Sequence, residues 1–171
     1  MQVFFMKNIR FYLIIGFIFT SALGTLSHFF YDWSDQNLLI GLISPVNEST
    51  WEHMKLVFFP ILSWSFFIPH PVSESSPSLR PALLLGGLSG TFLIPVLFYT
   101  YSGILGHNIT WIDITIFFIS VFSAFFYAWR LQDSARIYRK RTAIYFLTVL
   151  FLILFILFTF LPPDIGLFAE P

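Results

Sequence analysis

Residues 41–60, GLISPVNESTWEHMKLVFFP, set two glutamates, a histidine, a lysine and a tryptophan directly against an apolar run. Their placement decides the fold, because Glu52, His53 and Lys55 lie either in a loop or inside a helix that enters a bilayer. Helix-start signals favour the helix. Ser44-Pro45 reads as an N-cap followed by proline at the first helical position. Ser49-Thr50-Trp51-Glu52 has the spacing of a capping box, in which a hydroxyl and a glutamate satisfy free amides at a helix start. The two signals bracket the start between Pro45 and Thr50, so Glu52 and His53 fall in the first turns.

Outward from this segment the chain is apolar. It has 171 residues, 57% of them hydrophobic and only 11% charged, with a mean hydropathy of +0.79; this suits helices solvated by lipid better than an aqueous core. Apolar stretches at 9–31, 48–69, 81–101, 111–129 and 142–161 approach the roughly 20 residues that cross the hydrocarbon as a helix. The expected fold is an all-α, polytopic transmembrane helix bundle with five spanning helices, forming one integral membrane domain over 1–171. The second span is long enough only if its helix starts inside the segment quoted above. FTSALG offers small residues for signal cleavage, but the apolar run continues through TLSHFFYDW, longer than a usual signal core, and an uncleaved anchor is expected.

Charge is sorted along the chain. If five spans alternate, Lys7, Arg10, Arg80, Arg130, Arg136, Arg139, Lys140 and Arg141 share one side. Asp32, Asp35, Glu48, Glu52, Asp113, Asp164 and Glu170 gather toward the other, with His28, His53 and His107. The positive-inside rule then predicts a cell-membrane protein with a cytoplasmic N-terminus and an extracytoplasmic C-terminus. Trp33, Trp51 and Trp111 read as interfacial anchors. A net charge of zero supplies no field for nucleic acid, and the lack of cysteine excludes disulfides and thiolate metal sites. The partners expected are membrane lipids and a small molecule or ion; the sequence sets no oligomeric state.

The polar patch admits three uses. His28, Asp32, Glu48, Glu52 and His53 carry imidazole nitrogen and carboxylate oxygen, the donors suited to zinc or a related divalent metal. A metal-bound water could then perform hydrolysis with an unliganded glutamate as base, which makes Glu52 and His53 the catalytic candidates. No HExxH motif is present, and 3.6 residues per turn point Glu52 and His53 about 100° apart, so such a site must form between helices. The same groups beside a hydrated cavity would suit a small-solute or ion transporter, with Pro60, Pro69 and Pro95 permitting bends. The reading that asks least is structural: Glu52 caps a helix, Lys55 one turn later offsets its charge, and His28 bonds between helices. His107, Asn108 and Asp113 lie near enough to join the patch or to form a solvated loop. LLLGGLSG lacks the lysine of a phosphate-binding loop and reads as helix packing.

The stretches SHFFYDW, residues 41–60 and, more loosely, PPDIGLFAEP resemble a family of small multi-pass membrane proteins of unknown function found mainly in Firmicutes and related bacteria. The resemblance runs through nearly the whole chain. It implies a bacterial multi-pass protein and draws attention to His28, Asn47, Glu48, Trp51, Glu52 and His53, but it supplies no mechanism. Relatives carry a histidine-containing, proline-rich turn near the tail where this chain has Asp164, a departure that argues against the tail completing a metal site.

Overall fold

A computed structural model describes residues 9–170; Lys7 lies outside them. Among the described residues the chain is helical with no strand. In order it forms α1 (Ile9–Trp33), α2 (Leu38–Gly41), α3 (Thr50–Phe66), α4 (His70–Ser75), α5 (Leu79–Leu105), α6 (Thr110–Leu131), α7 (Ala135–Arg139) and α8 (Arg141–Phe160), followed by a 3-10 turn at Gly166–Phe168.

Four of these helices, α1, α5, α6 and α8, are long and apolar enough to cross a membrane. The chain is a multi-pass membrane protein, and the expectation of five spanning helices is corrected to four. The difference lies in α3. It has 17 residues, about 26 Å at 1.5 Å per residue, against roughly 30 Å of hydrocarbon. Local chemistry fixes both of its ends. Ser49, in an extended conformation, accepts the Glu52 amide at the start. Past Phe66, Pro69 disfavours helical geometry at Ile68. The composition of α3 follows from its position: Glu52, Lys55, Val57, Phe58 and Ile61 are all buried, so other helices rather than lipid surround it. A helix in the interior can hold a charged pair that a lipid-facing helix could not.

Around α3, the α5–α6 pair forms the most extensive helix contact, and α1 packs against both α3 and α6. Close approach is built in by glycine. A Cβ on Gly86 or Gly90 would collide with the backbone carbonyls of Ala124 and Ser120 on α6, and one on Gly24 with the carbonyl of Leu56 on α3. The outermost helix is α8, only 17% of whose spanning window is buried; Phe146, Val149 and Ile153 face outward.

The helices α1 and α3 run antiparallel. Tyr12 donates to the Trp64 carbonyl at one end (2.8 Å), while the rings of His28 and His53 meet at the other, 5.3 Å between centroids. Near the Tyr12 end, Ser76 and Ser78 donate to the carbonyls of Gln132 and Ser134, joining the loop before α5 to the loop after α6. The arginine-bearing turns are thus gathered opposite His28 and His53. Trp33 and Trp111 are 67% and 78% exposed. Trp51 departs from the expectation of an interfacial anchor: it is buried among Phe155, Phe158 and Phe168, holding α8 and the tail onto the start of α3.

Candidate functional site

The site is built at the start of α3. Asn47 accepts the Ser49 amide through Oδ1 (3.0 Å), closing a side-chain turn around Glu48. Ser49 Oγ accepts the Glu52 amide (3.4 Å), one half of the capping box read from the sequence. The other half is replaced: the Ser49 amide goes to Asn47, and the Glu52 carboxylate turns back to accept the Val46 amide (3.0 Å). Loop 45–49 is therefore pinned on both sides of Glu48, and the helix begins too late to include it.

This separation sends the two glutamates to different places. Glu52 is buried with Lys55, Oε2 to Nζ 2.6 Å. The same ammonium donates to Thr159 Oγ1 on α8 (2.7 Å) and to the Gly41 carbonyl (2.9 Å), with the Ser44 carbonyl at 3.4 Å. Three ammonium hydrogens thus meet three close acceptors, and the pair ties α2, α3 and α8 together. Glu48 points the other way. Its Oε2 lies 3.4 Å from His53 Nε2 and its Oε1 4.0 Å from His28 Nε2.

His28, Glu48 and His53 can each present one ligand atom so that all three lie within 4.8 Å of one another, the metal-capable group of this kind among the described residues. Asp32 and Glu52 are not part of it. Donors on a tetrahedral zinc at about 2.0–2.1 Å stand roughly 3.3 Å apart; the Glu48–His53 separation is close to that spacing, while the 4.0 Å contact of His28 is to the other carboxylate oxygen, so His28 must move inward to share an ion with them. His53 Nδ1 lies 3.0 Å from the Ser49 carbonyl. Donation of Nδ1–H to that carbonyl leaves the lone pair on Nε2, which is how outer partners orient metal-binding histidines. His28 Nδ1 is buried without a hydrogen-bond partner.

The cluster lines a cavity of about 340 Å³ between α1, α3, α5 and α6. Asn108, Thr110 and Asp113 complete its polar wall, while Glu52 does not reach it. Asp113 is held through Oδ1 by the Tyr101 hydroxyl, which also accepts the Ile109 amide (3.0 Å). His107 turns away, its Nδ1 3.1 Å from the Leu105 carbonyl on an exposed loop. Of the residues singled out in the sequence, His28, Glu48, His53, Asn108 and Asp113 share this space. Tyr101 and Thr159 carried no local signal, since each is defined by a partner on another turn or helix.

No curated protein and no solved structure matches the chain. A profile described as a family of unknown function (DUF6512) matches residues 1–171, and the chain belongs to that family.

Proposed function

We propose that the protein is a metal-dependent hydrolase of the bacterial cell membrane, with His28, Glu48 and His53 holding a divalent ion, zinc in the first instance. The observation that carries the reading is the placement of two imidazoles and one carboxylate within 4.8 Å on the wall of a cavity. Two histidines and a glutamate are a donor set of catalytic zinc, which keeps a further position for water and lowers the pKa of that water. Asp113, the other carboxylate on the cavity wall, is assigned the proton transfer; Tyr101 orients it and leaves its second oxygen for the task. Glu52, an expected base in the sequence, is assigned instead to shaping the loop that presents Glu48.

The gathering of arginines at the end opposite the cluster supports an orientation with that end in the cytoplasm. Because α3, although enclosed by other helices, still carries the chain from the His53 end back to the Tyr12 end, this orientation puts the start of α1 on the cytoplasmic side and the site and tail outside. Elemental analysis of protein purified without chelators tests the metal: about one zinc per chain is expected, and less than a tenth of that after His28→Ala with His53→Ala. Purified wild-type protein that holds no metal and shows no thermal shift on zinc addition would remove the reading.

A further inference from the structure

The cavity beside the cluster has two kinds of wall. Toward α3 and α5, Leu56 and Ile94 are buried. Toward α1 and α6, Phe29, Ile114 and Phe118 line the cavity and are 44%, 43% and 42% exposed. Thr25 also lines it and is exposed. Exposed lining residues on both helices point to a side opening of the cavity between α1 and α6.

Depth decides what lies beyond this opening. Thr25 is about eight residues from the end of α1, and Phe118 about eight residues from the start of α6, so each sits roughly 12 Å from its helix end. The headgroup layer occupies about 5–8 Å on either side of the hydrocarbon. Exposed Trp33 and Trp111 at the two helix ends, taken as interfacial anchors, set the level of that layer. The deep edge of the opening is thus bathed in acyl chains. His28, about 8 Å from the end of α1, sits near the boundary of headgroups and chains, where lipid ester bonds lie. Polar Glu48, Asn108 and Asp113 share one space with Phe29 and Phe118, a pairing of walls that matches an amphiphile with its headgroup at the polar end.

Resting on the metallohydrolase reading, we infer that the substrate is a membrane lipid carrying a carboxylic ester near its headgroup, admitted between α1 and α6 with its acyl chain still in the bilayer. Hydrolysis joins the water oxygen to the acyl carbon and breaks the acyl C–O bond. One water proton passes by way of Asp113 to the departing alcohol.

The test places the full chain in vesicles of phosphatidylglycerol and phosphatidylethanolamine containing a trace of phosphatidylglycerol with a diazirine in its acyl chain. Zinc is measured in the same sample. Photolabelling near Phe29 and Phe118 is expected to exceed that on the lipid-facing Phe146 and Ile153 of α8 several-fold. Thr25→Trp, alone or with Ile114→Trp, should lower it about fivefold with zinc content unchanged. Even labelling around a zinc-loaded bundle, or labelling at the opening indifferent to both substitutions, would overturn lipid entry and leave the metal centre standing. Labelling at the opening in protein devoid of zinc would overturn hydrolysis and keep only the cleft.

Discussion

Glu48 and Glu52 are four residues apart and chemically identical, yet their surroundings are opposite. The Glu48 side chain is 63% exposed and its neighbours are two imidazoles. The Glu52 side chain is 3% exposed, accepts from Lys55 and Val46, and sits where no solvent competes. The first is a carboxylate with unspent coordination capacity beside a cavity; the second has its charge neutralised and its bonds committed. What separates them is the start of α3 at Thr50, which leaves Glu48 in the pinned loop and places Glu52 on the buried face. The comparison teaches that charge in an apolar chain serves structure where its partners are complete and is left free to bind where they are not. It also yields a sharp contrast: substitutions around Glu52 should act on stability, and those around Glu48 on metal binding.

The largest effect should come from breaking the committed pair. Lys55→Met leaves the Glu52 carboxylate buried with only an amide as partner, and loss of one member of a buried ion pair costs about 3–5 kcal/mol. Thermal unfolding in detergent is expected to show a large fall in Tm. Glu52→Gln added to Lys55→Met should restore at least half of it, because the uncompensated charge is gone. A Lys55→Met protein as stable as the parent would erase the distinction between the two glutamates.

Next in size is the helix contact under the site. Gly24 lies one turn before His28, and a side chain there meets the Leu56 carbonyl and Phe117. Gly24→Leu should destabilise the bundle by about 1–3 kcal/mol, the usual cost of overpacking. Moving α1 away from α3 should also weaken zinc binding at least tenfold, measured by competition with a chromogenic chelator. Unchanged affinity would mean that α1 does not set the site.

The mirror image of the Lys55 experiment is Glu48→Gln. An exposed loop side chain contributes little to folding, so the metal-free stability should move by no more than about 0.5 kcal/mol. Zinc affinity should nevertheless fall about 100-fold, since an anionic ligand is lost. If stability falls and zinc binding does not, the roles assigned to the two glutamates are reversed.

The same contrast shows what the sequence could and could not reveal. The all-α membrane bundle was legible in the apolar runs, and the start of α3 in Ser49 and Glu52, because both are local signals with a known period. The number of crossings was not, because hydropathy alone does not tell a helix facing lipid from one enclosed by other helices: residues 48–69 are apolar, but α3 is short, carries Glu52 and Lys55, and is buried on its charged face. The site was half legible. His28 and His53 were visible as residue types, but the 100° angle between Glu52 and His53 required only a site between helices and left Glu52 among the expected ligands. Glu48, however, stands four residues before Glu52, a spacing that would share one face of a helix containing both, and the Asn47 turn and the helix start at Thr50 keep it off that face. The partnership of Lys55 with Thr159, 104 residues away, had no trace in either segment.

That turn supports the smallest prediction and the one closest to the mechanism. Asn47→Ala removes a hydrogen bond to the Ser49 amide while leaving every proposed ligand in place. Stability should fall by about 0.5–1.5 kcal/mol, the usual net worth of one hydrogen bond. The effect on zinc should be larger in proportion, about tenfold in affinity, because outer groups that orient ligands typically account for 10–100-fold. Asn47→Asp keeps the accepting oxygen and should recover most of the binding. Recovery with aspartate but not with alanine would show that the geometry of the loop, rather than the mere presence of Glu48, sets the metal site. Equal affinity in both variants would mean that the loop is held by Glu52 and Val46 alone, and that the buried pair then governs both stability and site.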